Sequence, residues 1–304
     1  MITSVLGSAV LVTALALAFS PQAAADTAPP AGLPATVSAD PLPTVQIDGV
    51  AWAEVVVGNT VYVTGSFANA RPAGTPASSP SRVARANLLA YDITTGNLIT
   101  AFNHRLNGQG RAITASPDGS TLYVAGDFTT VDGATHNRLA SFSLTTAGGV
   151  LNTGFTASLN AAARTVTASN TAVYVGGSFT SADGNGRNRL AAYSSAGGLL
   201  SWNPGADAAV SAIQLAPDGN RVIVGGGFTT LAGAARLGIG SVFTSGGAAP
   251  WPAAFPIQDY GSSSNITSLS TDGTNIYGTG YYFTQGGNSR GDLRSTRRPG
   301  GSSS

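Results

Sequence analysis

Tyr123-Val-Ala-Gly-Asp-Phe128 is a short strand pattern that returns along the chain with its glycine and phenylalanine in register. The other clear copies are Tyr62-Val-Thr-Gly-Ser-Phe67, Tyr174-Val-Gly-Gly-Ser-Phe179 and Ile223-Val-Gly-Gly-Gly-Phe228, with a looser fifth at Tyr277-Gly-Thr-Gly-Tyr-Tyr-Phe283. Phe67, Phe128, Phe179, Phe228 and Phe283 are spaced 61, 51, 49 and 55 residues apart. A second element follows each strong copy: Asn87-Leu-Leu-Ala-Tyr91, Arg138-Leu-Ala-Ser-Phe142, Arg189-Leu-Ala-Ala-Tyr193 and, weakly, Arg236-Leu237. A third is an aromatic at the end of each unit: Phe102, Phe155, Trp202 and Trp251. Three elements holding register over four units mark an internal repeat.

Within a unit, Ile113 to Ala115, Leu122 to Phe128, Leu139 to Leu144 and Val150 to Phe155 read as strands. Turn signals such as Pro117-Asp118-Gly119 and Asp132-Gly133 separate them. Helical periodicity is absent beyond the first residues. Four short strands in every fifty or so residues is the arithmetic of a β-propeller blade. A parallel β-helix, the rival, has shorter coils and needs no hairpin turns inside them. The expectation is an all-β fold: a propeller of four-stranded blades over 45–288, about four and a half blades, forming an incomplete ring. In this reading the Gly-x-Phe strand is innermost. Gly65, Gly126, Gly177 and Gly226 let it approach the axis, and Phe67, Phe128, Phe179 and Phe228 fill the wedges between sheets. An open ring would leave two apolar blade faces in water and favour self-association.

The runs Ala70-Arg-Pro-Ala-Gly74, Arg85-Ala-Asn-Leu-Leu-Ala-Tyr-Asp92 and Ser116-Pro-Asp-Gly-Ser120 resemble secreted actinobacterial β-propeller proteins. Their delta-60-like repeats often precede PKD, fibronectin type III or carbohydrate-binding modules. The resemblance covers roughly 45–288 and extends, more distantly, to a fungal cortical polarity-marker ectodomain. It implies a propeller fold and an extracellular compartment, and it implies no assigned reaction.

Composition narrows the chemistry further. Apolar residues make up 42% of the 304-residue chain and charged residues only 10%, enough for a core and too little charge for a solvated disordered chain. Lysine and cysteine are absent, so Schiff-base, P-loop-lysine, thiolate and disulfide chemistry are excluded. Glu54 is the only glutamate, which excludes a Glu–Glu glycosidase pair. The net charge is +1, with four arginines against Asp292 in 289–304, so the rest of the chain is slightly acidic. Nucleic acid is not an expected partner.

Val5 to Phe19 is a 15-residue apolar run followed by Ala23-Ala24-Ala25, the pattern of a secretory leader ending at residue 25. No basic residue precedes it, a departure from that pattern. An uncleaved anchor is the competing reading, although the run is short for a membrane span. Residues 26–44 read as a Pro/Ala-rich linker, 45–288 as the repeats and 289–304 as a disordered Arg/Ser/Gly tail. The abrupt change after Asn288 suggests a truncated gene product, and a genuine basic tail competes with that. The expected location is secreted, extracellular or wall-associated, with no membrane span after leader cleavage.

Candidate sites are few. The residue before each repeat phenylalanine varies, and Ser66, Asp127 and Ser178 are the possible ligand-facing positions. Asp127 is suited to a sugar hydroxyl or a cation, but one acid cannot do paired acid–base work alone. The loops Asp132-Gly133 and Asp183-Gly184 offer too few carboxylates for calcium and read as turns, with the following arginine tying each loop to its own carbonyls. His104 and His136 read as exposed polar residues. Gly-x-Ser-x-Gly is absent, and Arg290-Gly291-Asp292 and the sequon Asn265-Ile266-Thr267 lack supporting context. No catalytic, cofactor or metal residues are assigned. The expected function is a non-enzymatic exported binding or scaffold module for polysaccharide or an envelope protein. The alternatives are a polysaccharide-acting enzyme on the same scaffold and a non-functional fragment.

Overall fold

The computed structural model describes residues 43–250, 265–284, 287–289 and 293–295, and these form small antiparallel sheets with no helix among them. The leader, linker residues 26–42, Trp251 and the Arg-Gly-Asp tripeptide lie outside the described residues. Five units follow one another, each pairing a first strand with a second and the second with a third. In unit 1 these are Val50–Val57, Thr60–Ser66 and Leu88–Asp92. Unit 2 has Gly110–Ala115, Thr121–Gly126 and Leu139–Ser143, and unit 3 has Ala163–Ala168, Ala172–Gly177 and Leu190–Ser194. Unit 4 has Val210–Leu215, Arg221–Gly226 and Ile239–Phe243. Unit 5 pairs Asn265–Thr271 with Ile276–Thr284, against which Gly287–Ser289 and Leu293–Ser295 both lie. That last strand falls in a segment where the sequence carries no strand pattern.

Two expectations are corrected. Among the described residues a fourth strand follows the third in units 2 and 4, as Val150–Leu151 and Ala248–Ala249, while unit 5 carries two short strands on its second. In units 1 and 3 the fourth strand shrinks to the single bridges Tyr91–Leu98 and Tyr193–Leu199. A short outer edge exposes few unpaired backbone groups. The Gly-x-Phe strand is not innermost: it is the second strand, paired on both sides.

That placement gives the repeat glycine a different reason from approach to an axis. In all five units the ladder slips by one residue near the start of the first strand, between Ala51 and Ala53, Gly110 and Ala112, Ala163 and Thr165, Val210 and Ala212, and Ile266 and Ser268. Such a β-bulge kinks its strand toward the partner. A Cβ at Gly65, Gly126, Gly177, Gly226 or Gly280 would land on the carbonyl oxygen of Val50, Gln109, Ala162, Ala209 or Asn265. The glycine is the space that the bulge requires.

The chain then turns back to the third strand through one repeated closure. The backbone N–H groups of Asn87, Arg138, Arg189 and Gly238 donate to the carbonyls of Phe67, Phe128, Phe179 and Phe228 at 2.8–3.0 Å. All four residues have positive φ, between 65° and 74°. The unit-4 counterpart of Arg138-Leu139 is therefore Gly238-Ile239, two residues beyond the Arg236-Leu237 that the sequence pattern suggests. Glycine adopts this conformation without the strain the other three carry.

Packing between units joins each first strand to the first strand of the next unit. At one repeated contact, side-chain volumes trade across the interface. Thr64 meets Gly110, Ala125 shares a cluster with Ala163, Gly176 meets Val210, and Gly225 meets Ile266. Between units 3 and 4, the hydroxyls of Thr165 and Thr167 accept the N–H groups of Ile213 (3.0 Å) and Leu215 (3.3 Å), which satisfies an otherwise open strand edge. Wedges between units hold the unit-end aromatics: Phe102 lies edge-on to Tyr62 at 5.1 Å, and Trp202 edge-on to Tyr174 at 5.2 Å. Phe67, Phe128, Phe179 and Phe228 are all buried.

Ile113, Val166, Ile213 and Leu269 occupy one ladder position and pack toward the preceding unit. Unit 1 places the exposed Glu54 there, with the exposed Val56 two residues on. The outward face of unit 1 thus mixes a charge with exposed apolar surface.

Burial of the repeat phenylalanine makes a direct prediction. Phe128→Ala should cost ~3–5 kcal/mol in urea unfolding, whereas Val150→Ala, at an exposed edge, should stay within about 0.5 kcal/mol. Similar losses for the two would contradict the packing described.

Candidate functional site

The bulge throws one residue of each first strand out of the ladder: Trp52, Arg111, Arg164, Ser211 and Thr267. Antiparallel pairing brings this residue to the same end of the sheet as the residue before the repeat phenylalanine. The residue facing that position across the ladder, Val50 or Gln109, completes the group. The scaffold repeats, but these positions do not. Units 1 to 3 carry Trp52, Gln109, Arg111, Asp127, Arg164 and Ser178, whereas unit 4 carries only Ala209, Ser211 and Gly227.

Asp127 is the hub. Its Oδ2 accepts Nε and Nη2 of Arg111 at 2.9 and 2.7 Å, and Nε2 of Gln109 at 2.7 Å. Gln109 in turn accepts the indole N–H of Trp52 at 3.0 Å, so one side-chain amide joins units 1 and 2. The Arg111 and Asp127 side chains are 35% and 31% exposed, and Trp52 is 54% exposed. Partial burial alone raises the Asp127 pKa. The Arg111 and Gln109 hydrogen bonds and the Arg111 and Arg138 charges outweigh it and hold the carboxyl below its ordinary value. Such a carboxylate is a fixed anion and hydrogen-bond acceptor, poorly suited to donating a proton at neutral pH.

Ser178 accepts Nε–H of Arg164 at 3.0 Å, and Ser66 is exposed. Ser66, Asp127 and Ser178 thus share one end of the sheets, but only Asp127 sits in a connected network. Trp52, Gln109, Arg111 and Arg164 escape the sequence reading because their equivalence depends on the bulge register. The one available signal is the pair Gly110-Arg111 and Ala163-Arg164, a small residue then arginine ahead of two successive strands.

The Asp-Gly loops have a structural task. Asp132 accepts the Arg105 backbone N–H at 2.8 Å and Nδ1 of His104 at 2.6 Å, and Asp183 accepts the Ser158 N–H at 2.7 Å. Both carboxylates clamp the linker that enters their own unit. The arginine after the second loop does not serve its own loop alone: Arg187 reaches the Leu200 carbonyl at 2.9 Å. His136, at the position equivalent to Arg187, is 3% exposed and not the surface residue expected. Burial pushes its pKa below the ordinary value, against a hydrogen bond to the Phe155 backbone and the Asp132 charge. His104 is partly buried between Phe102 and Phe142. Among the described residues no three His, Cys, Asp or Glu side chains gather as a metal site would require.

Asp127 sets a pH signature. Because its folded pKa is depressed, its contribution to stability is present above the unfolded value of about 3.9 and is lost as pH falls through the folded value. Asp127→Asn should therefore narrow the stability difference between pH 6 and pH 2.5 in urea titrations. An unchanged difference would mean that the carboxylate is not paired as described.

No protein-family model matches the chain, and no curated protein matches it. Among solved structures, the computationally designed Ika4 protein is similar at 16% identity and a TM-score of 0.40, over 64% of this chain and 92% of that one. A likeness of this size bears on neither function nor the number of units in a ring.

Proposed function

We propose that this chain is a non-enzymatic, exported binding module built on a β-propeller, with its ligand site at the bulged ends of units 1 to 3. The observation that carries this reading is the contrast between scaffold and site. Wedge-filling residues recur in register because every interface needs them. Trp52, Gln109, Arg111, Asp127 and Arg164 occupy repeated positions without repeating. All are at least partly exposed, and Trp52, Gln109, Arg111 and Asp127 are linked to one another, as the few placed polar groups of a recognition site are. First strands lying successively against one another suit a fan of blades around an axis, with these residues at one mouth. The apolar leader pattern supports work outside the cell, where polysaccharide and envelope proteins are the available partners.

An exposed indole beside a fixed carboxylate and guanidinium groups favours polysaccharide over a protein ligand, since a sugar ring offers an apolar face and hydroxyls together. Binding on a glycan array without release of reducing sugar is the expected result, and Trp52→Ala should abolish it. Sugar release would replace this reading with the enzymatic one, and array binding that survives Trp52→Ala would move the site elsewhere.

A further inference from the structure

Resting on that reading, we infer that the bulge-end site selects an acidic saccharide, with a sugar ring on Trp52 and the carboxylate on the arginines. The argument begins with unequal charge. Arg111 and Arg138 both act on Asp127, and Arg164 stands at the bulge of the next unit. Three guanidinium groups against Asp127, and against Asp48 beside Ser66 in unit 1, leave this end of the sheets positive, although the chain outside its last sixteen residues is slightly acidic. A local positive field on a weakly acidic body selects for anions.

Hydrogen-bonding capacity points the same way. Asp127 occupies Nε and Nη2 of Arg111 and leaves Nη1 without a partner among the described residues. Arg164 is anchored only through Nε, on the Ser178 hydroxyl, so both of its terminal amino groups have no partner there. Anchoring a guanidinium at Nε orients its outer N–H groups and lowers the entropy lost when a ligand binds. Paired N–H groups in that fork match the two oxygens of a carboxylate. Units 2 and 3 are joined through their first strands, and the two arginines hold the same bulge position in each. Trp52 and Asp127 hold opposite ends of the Gln109 amide, which keeps the indole close to the charged pair. The indole N–H is already committed to Gln109, so what Trp52 offers a ligand is its apolar face. The arrangement therefore gives one residue of the saccharide a stacking surface and the neighbouring carboxylate a bidentate donor.

The test uses the full chain and calorimetric titration with three probes: oligogalacturonate, a sulfated oligosaccharide and a neutral oligogalactan. Oligogalacturonate should bind, with affinity falling as salt rises. Arg164→Gln should weaken it about tenfold, the loss of one charge-assisted pair. Arg221→Gln removes the same charge from a site paired to Asp218, outside the bulge row, and should leave binding unchanged. Near-UV circular dichroism checks that both variants fold alike. Equal binding of the neutral probe would overturn the acidic selectivity while leaving a glycan-binding module in place. Preference for the sulfated probe would assign the arginines to sulfate and overturn the carboxylate assignment. If none of the probes binds and a wider glycan array is also silent, the inference and the reading beneath it both fall.

Discussion

The structure depends on how closely the first strand of one unit can press against the next. Four interfaces meet that constraint with different residues at the same position: Thr64 with Gly110, Gly176 with Val210 and Gly225 with Ile266 are in contact, and Ala125 and Ala163 share one cluster. In the first three a glycine on one side makes room for a larger residue on the other. Close-packed interiors tolerate volume-conserving exchange far better than net gain or loss. The varying residue in the Tyr-Val-x-Gly-x-Phe pattern is thus half of a pair whose other half lies in the following unit.

Close approach brings the bulge with it. The extra residue bends the first strand onto the repeat glycine, and the same slip lifts one side chain clear of the ladder in every unit. What that side chain is has no bearing on packing, so the positions are free to differ. Tryptophan and two arginines stand there in units 1 to 3, and their partners Gln109, Asp127 and Ser178 come from the neighbouring rows. Scaffold and site use one geometric device for two purposes.

Much of the scaffold was legible in the sequence because it repeats. The strand runs, the buried phenylalanines and the aromatic wedge at each unit's end follow from spacing and residue type alone. Three things were not legible. The bulge shifts register by one residue without any change in composition, so Arg111 and Arg164 could not be aligned with Trp52. The Gly-x-Phe strand resembles an axial strand because it is rich in glycine, yet its glycines answer to a neighbouring carbonyl. His136 aligns with Arg187 in the repeated Asp-Gly loop, and only the fold shows that it is buried. Asp127 was singled out because its position varies, and its hydrogen bonds to Arg111 and Gln109 became visible only in the fold.

The central claim is that interface volumes are traded between units, and a double-mutant cycle at Gly176 and Val210 tests it most directly. A Cβ on residue 176 would lie 2.5 Å from Cγ1 of Val210, so Gly176→Ala alone should overpack the contact. Val210→Ala alone should leave it underfilled. Together they recreate the Ala125–Ala163 contact of the preceding interface. The account predicts a double variant more stable than the sum of the single losses, with a favourable coupling on the order of 1–3 kcal/mol in urea unfolding. Strictly additive losses would show that the two residues do not share a contact, and the account of how the units pack would be wrong.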